Sequence, residues 1–184
     1  MKKTILFALM ILLLAANCRS ADKFLAELSG SYMVANDSAF KDVYGKGGFV
    51  PEIRLQYGLG SAFYIWGGAG IFSKKGLTPQ LQKDAKSRQI YLSLGGGYIA
   101  RLSEKINLRV GPGLFVVAYR EESAGNVQSG SRFGLRADAD LLYALGAKFL
   151  AGVTIGYASA SGSIEDISFK MGGFKIGAAV AICF

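Results

Sequence analysis

Read backwards in twos from the last residue, Phe184, Ile182, Val180, Ala178, Ile176 and Phe174 are apolar. The positions between them, Cys183, Ala181, Ala179, Gly177 and Lys175, are small or polar. A period of two puts successive side chains on opposite faces, so this segment predicts a β-strand with one greasy face. Seven earlier segments carry the same pattern. KFLAELSGSYMVA sets Phe24, Leu28, Tyr32 and Val34 against Glu27, Ser29 and Ser31, and GFVPEIRLQYGL sets Phe49, Ile53, Leu55 and Tyr57 against Glu52, Arg54 and Gln56. AFYIWGGAGIF is apolar at both parities, which leaves its orientation open. IYLSLGGGYIARL and INLRVGPGLFVVAY place Arg101 and Arg109 on their polar faces. In RFGLRADADLLYAL, Phe133, Leu135, Leu141 and Tyr143 alternate with Arg136, Asp138 and Asp140. FLAGVTIGYAS completes the set of eight.

Connections between these segments alternate in length. Long stretches follow the first, third, fifth and seventh segments (ANDSAFKDVYGKGG, SKKGLTPQLQKDAKSRQ, EESAGNVQSGS and ASGSIEDI). Short ones lie at Gly60 and Ser61, Ser103 to Lys105 and Gly146 to Lys148. An even strand count with tight turns at one end and long connections at the other is the layout of an outer-membrane barrel. The fold expected is all-β, an eight-stranded antiparallel up-and-down transmembrane β-barrel.

The same alternation turned inside out describes a soluble carrier with an apolar cavity. Lysine placement separates the two, because a solvated outer wall is normally rich in charge. Here Lys41, Lys46, Lys74, Lys75, Lys83, Lys86, Lys105 and Lys148 all fall in connections, and only Lys23, Lys170 and Lys175 fall in strands. The polar faces carry four acids and four bases instead: Glu27, Glu52, Arg54, Arg101, Arg109, Arg136, Asp138 and Asp140. Such a balanced set suits a paired interior, since an uncompensated buried charge costs several kcal/mol. Lipid outside and a charge network inside is the expectation.

The amino terminus modifies this picture. Lys2 and Lys3 precede an apolar run from Ile5 to Ala16, too short for a comfortable bilayer span but suited to a secretory signal. Residues 1–20 are expected to be the signal and 21–184 the barrel domain. A membrane anchor and a lipid-modified Cys18 are the alternatives, although Asn17 fits poorly before a lipidated cysteine. Loss of Lys2, Lys3 and Arg19 lowers the net charge from +8 to +5, and no basic stripe interleaved with aromatics points to nucleic acid. Cys183 is then the one cysteine left, which excludes an intramolecular disulfide.

Taken together, the leader, the alternating strands, the loop rhythm and the terminal aromatic resemble the small outer-membrane β-barrels of Gram-negative bacteria, the broad group of outer membrane proteins A, W and X. The resemblance covers the whole chain after the leader and is architectural. It implies an outer-membrane location and a final strand, with Phe184, Ile182 and Val180, similar to the signal read by the barrel assembly machinery. Ile182 stands where that signal more often has tyrosine. The peptidoglycan-binding domain of the outer membrane protein A type is not expected, because the sequence stops at Phe184.

Candidate chemistry is sparse. The chain contains no histidine, which removes Ser–His–Asp and Cys–His catalysis and His-based metal sites, so no enzyme and no cofactor are expected. Asp138 and Asp140 share a face, as a cation site or as members of the salt-bridge network. Gly95 to Gly97 lack the following GK[ST] of a phosphate loop and read as tight-wall glycines. Lys74, Lys75, Lys83, Lys86 and Arg88 cluster in the third connection, with the chemistry to meet lipopolysaccharide phosphates or simply to stay solvated. The function expected is structural or adhesive, through four long extracellular loops over a plugged polar lumen. A narrow channel for small or hydrophobic solutes and a soluble periplasmic lipocalin-like carrier are the alternatives.

Overall fold

The computed structural model describes residues 24–79, 83–123, 125–164 and 167–184; the predicted signal, 1–20, lies outside them. Eight strands form one closed antiparallel barrel: β1 (Phe24–Ala35), β2 (Gly47–Leu59), β3 (Phe63–Leu77), β4 (Asp84–Arg101), β5 (Ile106–Ser123), β6 (Asn126–Ala144), β7 (Phe149–Ile164) and β8 (Ile167–Cys183). One short helix, α1 (Ser38–Tyr44), lies between β1 and β2. Neighbours in sequence are neighbours in the sheet, and β1 closes on β8 in a register running from Leu25↔Cys183 to Ala35↔Gly173. Closure leaves no strand edge unpaired, the condition for a sheet to stand in hydrocarbon.

Parity fixes the two faces. Leu28, Ile53, Leu94, Leu114, Leu135, Ile155 and Val180 point outward, with Leu94 and Leu135 at 68% and 65% exposure. A wall so apolar is stable only against lipid. The soluble-carrier reading therefore fails, because the charges are on the inside. β3 resolves the orientation that its sequence left open: Tyr64, Trp66 and Phe72 turn inward, and Phe63, Ile65 and Ile71 outward. At the short-turn end, outward aromatic pairs border the apolar band, Phe24 on Tyr57 at 4.9 Å and Phe63 on Tyr98 at 5.6 Å between ring centres. Interfacial aromatics belong there.

The tight turns are built as their residues predict. Gly60 takes a left-handed φ of 83° between β2 and β3. Ser103 Oγ accepts from the backbone N–H of Lys105 and Ile106, closing the turn before β5. The opposite end departs from expectation. Among the described residues only the first long connection holds a helix; the others are mostly strand there, with β3 and β4 running on to Leu77 and from Asp84, and β5 and β6 to Ser123 and from Asn126. Polar residues on both faces looked like loop. Above the lipid both faces meet water, so an antiparallel ladder continues without needing an apolar side. The strands rise as paired ribbons above the membrane instead of ending in open loops.

Candidate functional site

The inward positions stack in three layers. At the short-turn end Leu25, Leu142, Leu150, Ala179, Ala181 and Cys183 form an apolar floor. Towards the opposite end Met33, Val50, Phe72, Tyr91, Phe115, Val117 and their neighbours form an apolar upper layer. Between them lies the charge. On β1 the inward order Leu25, Glu27, Ser29, Ser31, Met33 crosses all three layers, and on β6 Leu142, Asp140, Asp138 and Arg136 cross the floor and the charged layer.

Arg136 is the hub of the middle layer. Its Nε donates to Asp138 Oδ2 at 2.7 Å and its Nη2 to Asp138 Oδ1 and Glu52 Oε1, both at 2.9 Å. Nη1 donates to Ser93 Oγ at 2.8 Å. Lys175 Nζ closes on Glu52 Oε2 at 3.1 Å and lies 3.5 Å from Asp138. Arg54 Nη1 donates to Asp140 Oδ2 at 2.7 Å and stands 3.6 Å from Glu27 Oε1. Arg109 joins through Gln56, which accepts from its Nη1 at 3.0 Å and donates to Glu27 Oε2 at 3.3 Å. The structure thus brings together Glu27, Glu52, Arg54, Arg109, Arg136, Asp138 and Asp140. Arg101 is separate: it is exposed at the last position of β4, below the layer, where the polar face meets the aqueous border. Its place as fourth base is taken by Lys175.

Trp66 backs the network, with the guanidinium carbons of Arg136 and Arg54 at 4.9 and 5.1 Å from its ring centre. Cation–π attraction is strengthened where water is excluded. The ring needs space on its other side, and the glycines of β4 and β5 supply it. A Cβ at Gly113 would lie 2.6 Å from Trp66, and one at Gly111 would lie 2.8 Å from the Tyr64 hydroxyl. Asp138 pairs with Arg136 and Lys175, and Asp140 pairs with Arg54 through Oδ2 while its buried Oδ1 has no hydrogen-bond partner among the described residues; no cluster of three or more acid, cysteine or histidine side chains there offers a metal site.

A second feature lies above the upper layer. Asp37 caps α1 by accepting from Phe40 N–H at 2.9 Å, while its other oxygen accepts from Lys170 N–H at 2.9 Å, tying the helix to β8. Phe40 packs on Phe72 with 5.9 Å between ring centres. Under the helix remains a half-open cavity of about 370 Å³, bounded by Met33, Phe40, Tyr44, Tyr119, Phe169 and Met171 with Gln89 and Glu121. Burial raises the carboxyl pKa of Glu121, against a hydrogen bond from Ser87 that lowers it. Burial, and then the nearby Glu121, push Tyr44 up to about 12.

The five basic residues predicted to meet lipopolysaccharide are divided by the ladder. Lys75, Lys86 and Arg88 face outward and are exposed, Lys83 is exposed just before β4, and Lys74 is half-buried at an inward position beside Gly48. Of the terminal residues, Phe184 and Val180 are exposed on the outer face, and Phe184 N–H donates to Phe24 O at 2.9 Å. Sequence reasoning missed Gln56, Trp66 and Lys175. Lys175 and Gln56 sit at the inward parity of their strands, which was the available signal; Trp66 was hidden by a strand apolar on both faces.

No family model and no curated protein matches the chain. Solved structures do. Neisserial surface protein A is 16% identical and aligns over 88% of this chain and 97% of its own with a TM-score of 0.61. OprG of Pseudomonas aeruginosa is 13% identical over 90% and 97%, with a TM-score of 0.66. Ail, the attachment invasion locus protein of Yersinia pestis, solved with the heparin analogue sucrose octasulfate, is 14% identical over 87% and 98%, with a TM-score of 0.55. At these identities the likeness is one of fold. With its apolar wall and filled lumen, the chain is an eight-stranded transmembrane β-barrel of the bacterial outer-membrane type.

Proposed function

We propose that this protein is a non-enzymatic outer-membrane barrel that does not conduct and acts through its extracellular end, in a structural or adhesive role. The observation that carries the reading is the buried layer of Arg54, Arg136 and Lys175 on Glu52, Asp138 and Asp140 between two apolar layers. A solute crossing the lumen would have to break charge pairs buried between two apolar layers. Its partners are the surrounding lipopolysaccharide and, during assembly, the barrel assembly machinery, which would read Phe184, Ile182 and Val180. The adhesive role draws support from Ail, an attachment protein of the same fold that binds a polyanionic sugar analogue. Trimming the ribbons beyond Ile71, Ile90, Ala118 and Phe133 tests it: surface attachment of expressing cells is expected to fall while the barrel stays folded. Attachment equal to that of the intact protein would remove the adhesive role.

The cavity under α1 favours a second reading, uptake of small apolar solutes from outside. Liposomes carrying the barrel would then accumulate such a solute faster than protein-free liposomes. The filled lumen predicts equal rates.

A further inference from the structure

Two rungs of the β3–β4–β5 ladder carry like charges side by side on the outer face. Arg88 pairs with Ser73 on one side and with Arg120 on the other, and one rung further out Lys86 pairs with Lys75 and with Glu122. Like charges directly opposite each other in a sheet repel. Among the described residues the relief is confined to Glu122, which holds Arg120 at 2.9 Å. Lys75, Lys86 and Arg88 make no ion pair among the described residues. One rung below, Ile71 pairs with Ile90 and Ile90 with Ala118, so the charges begin where the outward apolar face ends. Below the boundary this wall meets acyl chains; immediately above it, it meets headgroups.

We infer that Lys75, Lys86, Arg88 and Arg120 form a binding surface for the phosphate groups of outer-leaflet glycolipid, lipopolysaccharide phosphates above all. Adjacent strands lie about 4.8 Å apart, so neighbouring cations can reach different oxygens of one phosphate or two phosphates of one headgroup. The anion compensates the repulsion that the ladder builds in, and the outward aim of all four side chains directs them at lipid and not at the mouth. The surface narrows the basic cluster legible in the sequence: Lys74 turns inward and drops out, Lys83 precedes β4 and lies outside the two charged rungs, and Arg120, from a different connection, comes in. It depends on the wall facing a membrane and is indifferent to whether the lumen conducts.

The test uses the full-length barrel, refolded in detergent, and its K75Q/K86Q/R88Q/R120Q variant, with lipopolysaccharide titrated against each. Loss of four cations at a headgroup is expected to weaken binding at least about tenfold. Dephosphorylated lipopolysaccharide should bind the parent protein as weakly as intact lipopolysaccharide binds the variant. In neutral phosphatidylcholine the variant should melt no lower than the parent, and in lipopolysaccharide-containing bilayers it should melt lower. Should the quadruple variant not refold, K75Q/K86Q and R88Q/R120Q tested separately should each show part of the loss. Equal affinities of variant and parent would overturn the inference, as would full binding of the dephosphorylated glycolipid. Complete competition by millimolar inorganic phosphate would overturn it in favour of a free-anion site. If the parent protein fails to insert into bilayers at all, it is the membrane-barrel reading that falls.

Discussion

Replacing Arg136 by methionine removes the hub of the lumen while keeping a flexible apolar chain of similar length against Trp66. Arg136 makes its contacts with Asp138, Glu52 and Ser93 at 2.7 to 3.2 Å, and the side chains of Arg136, Glu52 and Asp138 are all within 5% of fully buried. Without it, the layer holds four acids against Arg54, Arg109 and Lys175, and Asp138 keeps only the more distant Lys175 at 3.5 Å and Arg54 at 3.8 Å. Breaking a buried pair by removing one partner costs about 3–5 kcal/mol, and that is the loss expected for R136M in urea unfolding from lipid vesicles. R136K keeps the charge but loses the planar fork, with an expected loss of about 1–2 kcal/mol. The decisive variant is R136M/D138N, which restores charge balance by removing an acid as well. Its loss should fall short of the sum of the single losses by about 2–3 kcal/mol, the upper range for residues in direct contact. Additive losses, or an R136M loss below about 1 kcal/mol, would refute the idea that the lumen is held as a coupled network.

Three further perturbations follow from the same structure. Gly113→Val puts side-chain atoms where Trp66 lies 2.6 Å from even a Cβ, and should cost about 1–3 kcal/mol in the same unfolding assay; W66L/G113V should recover part of that, and no recovery would mean the glycine serves the backbone instead. Because Glu121 has a raised pKa, the folded mouth binds its proton more tightly than the unfolded chain does. Hydrogen-exchange protection of α1 and the end of β5 should therefore fall as pH climbs from the ordinary carboxylate range through the raised value, and E121Q should flatten that slope; an unchanged slope would contradict it. Phe184→Ala should lower the amount of barrel assembled in cells without changing the unfolding of barrel refolded in vitro, since its proposed role is in recognition; equal yields in cells would remove that role.

Much of the architecture was legible because the barrel is a period-two object. Phe133 to Tyr143 and Phe174 to Phe184 alternate so cleanly that the strands and their two faces follow from parity, with the placement of lysine deciding which face is outward. β3 defeated that reasoning for a physical reason: Tyr64 and Trp66 are large apolar residues that face a lumen in which the glycines of two neighbouring strands leave room for rings. Arg101 misled through the same parity, which identifies the polar face but not the height at which a strand leaves the membrane. Lys175 had the right parity and was passed over because its strand is otherwise so apolar; its depth is set by the register Gly156↔Lys175, and registers are tertiary facts. The ribbons at the long-connection end were hidden for the converse reason, that a ladder in water needs no greasy face.

The central claim is that the lumen is closed. Single-channel recording in planar bilayers tests it most directly, with insertion verified by the heat-sensitive migration of the barrel on SDS gels. The structure predicts a flat baseline at every voltage that the bilayer survives, because the charge pairs lie between two apolar layers. Reproducible steps from the unaltered protein would contradict the account, because ions would then be crossing a layer that the charge pairs and the apolar floor should close.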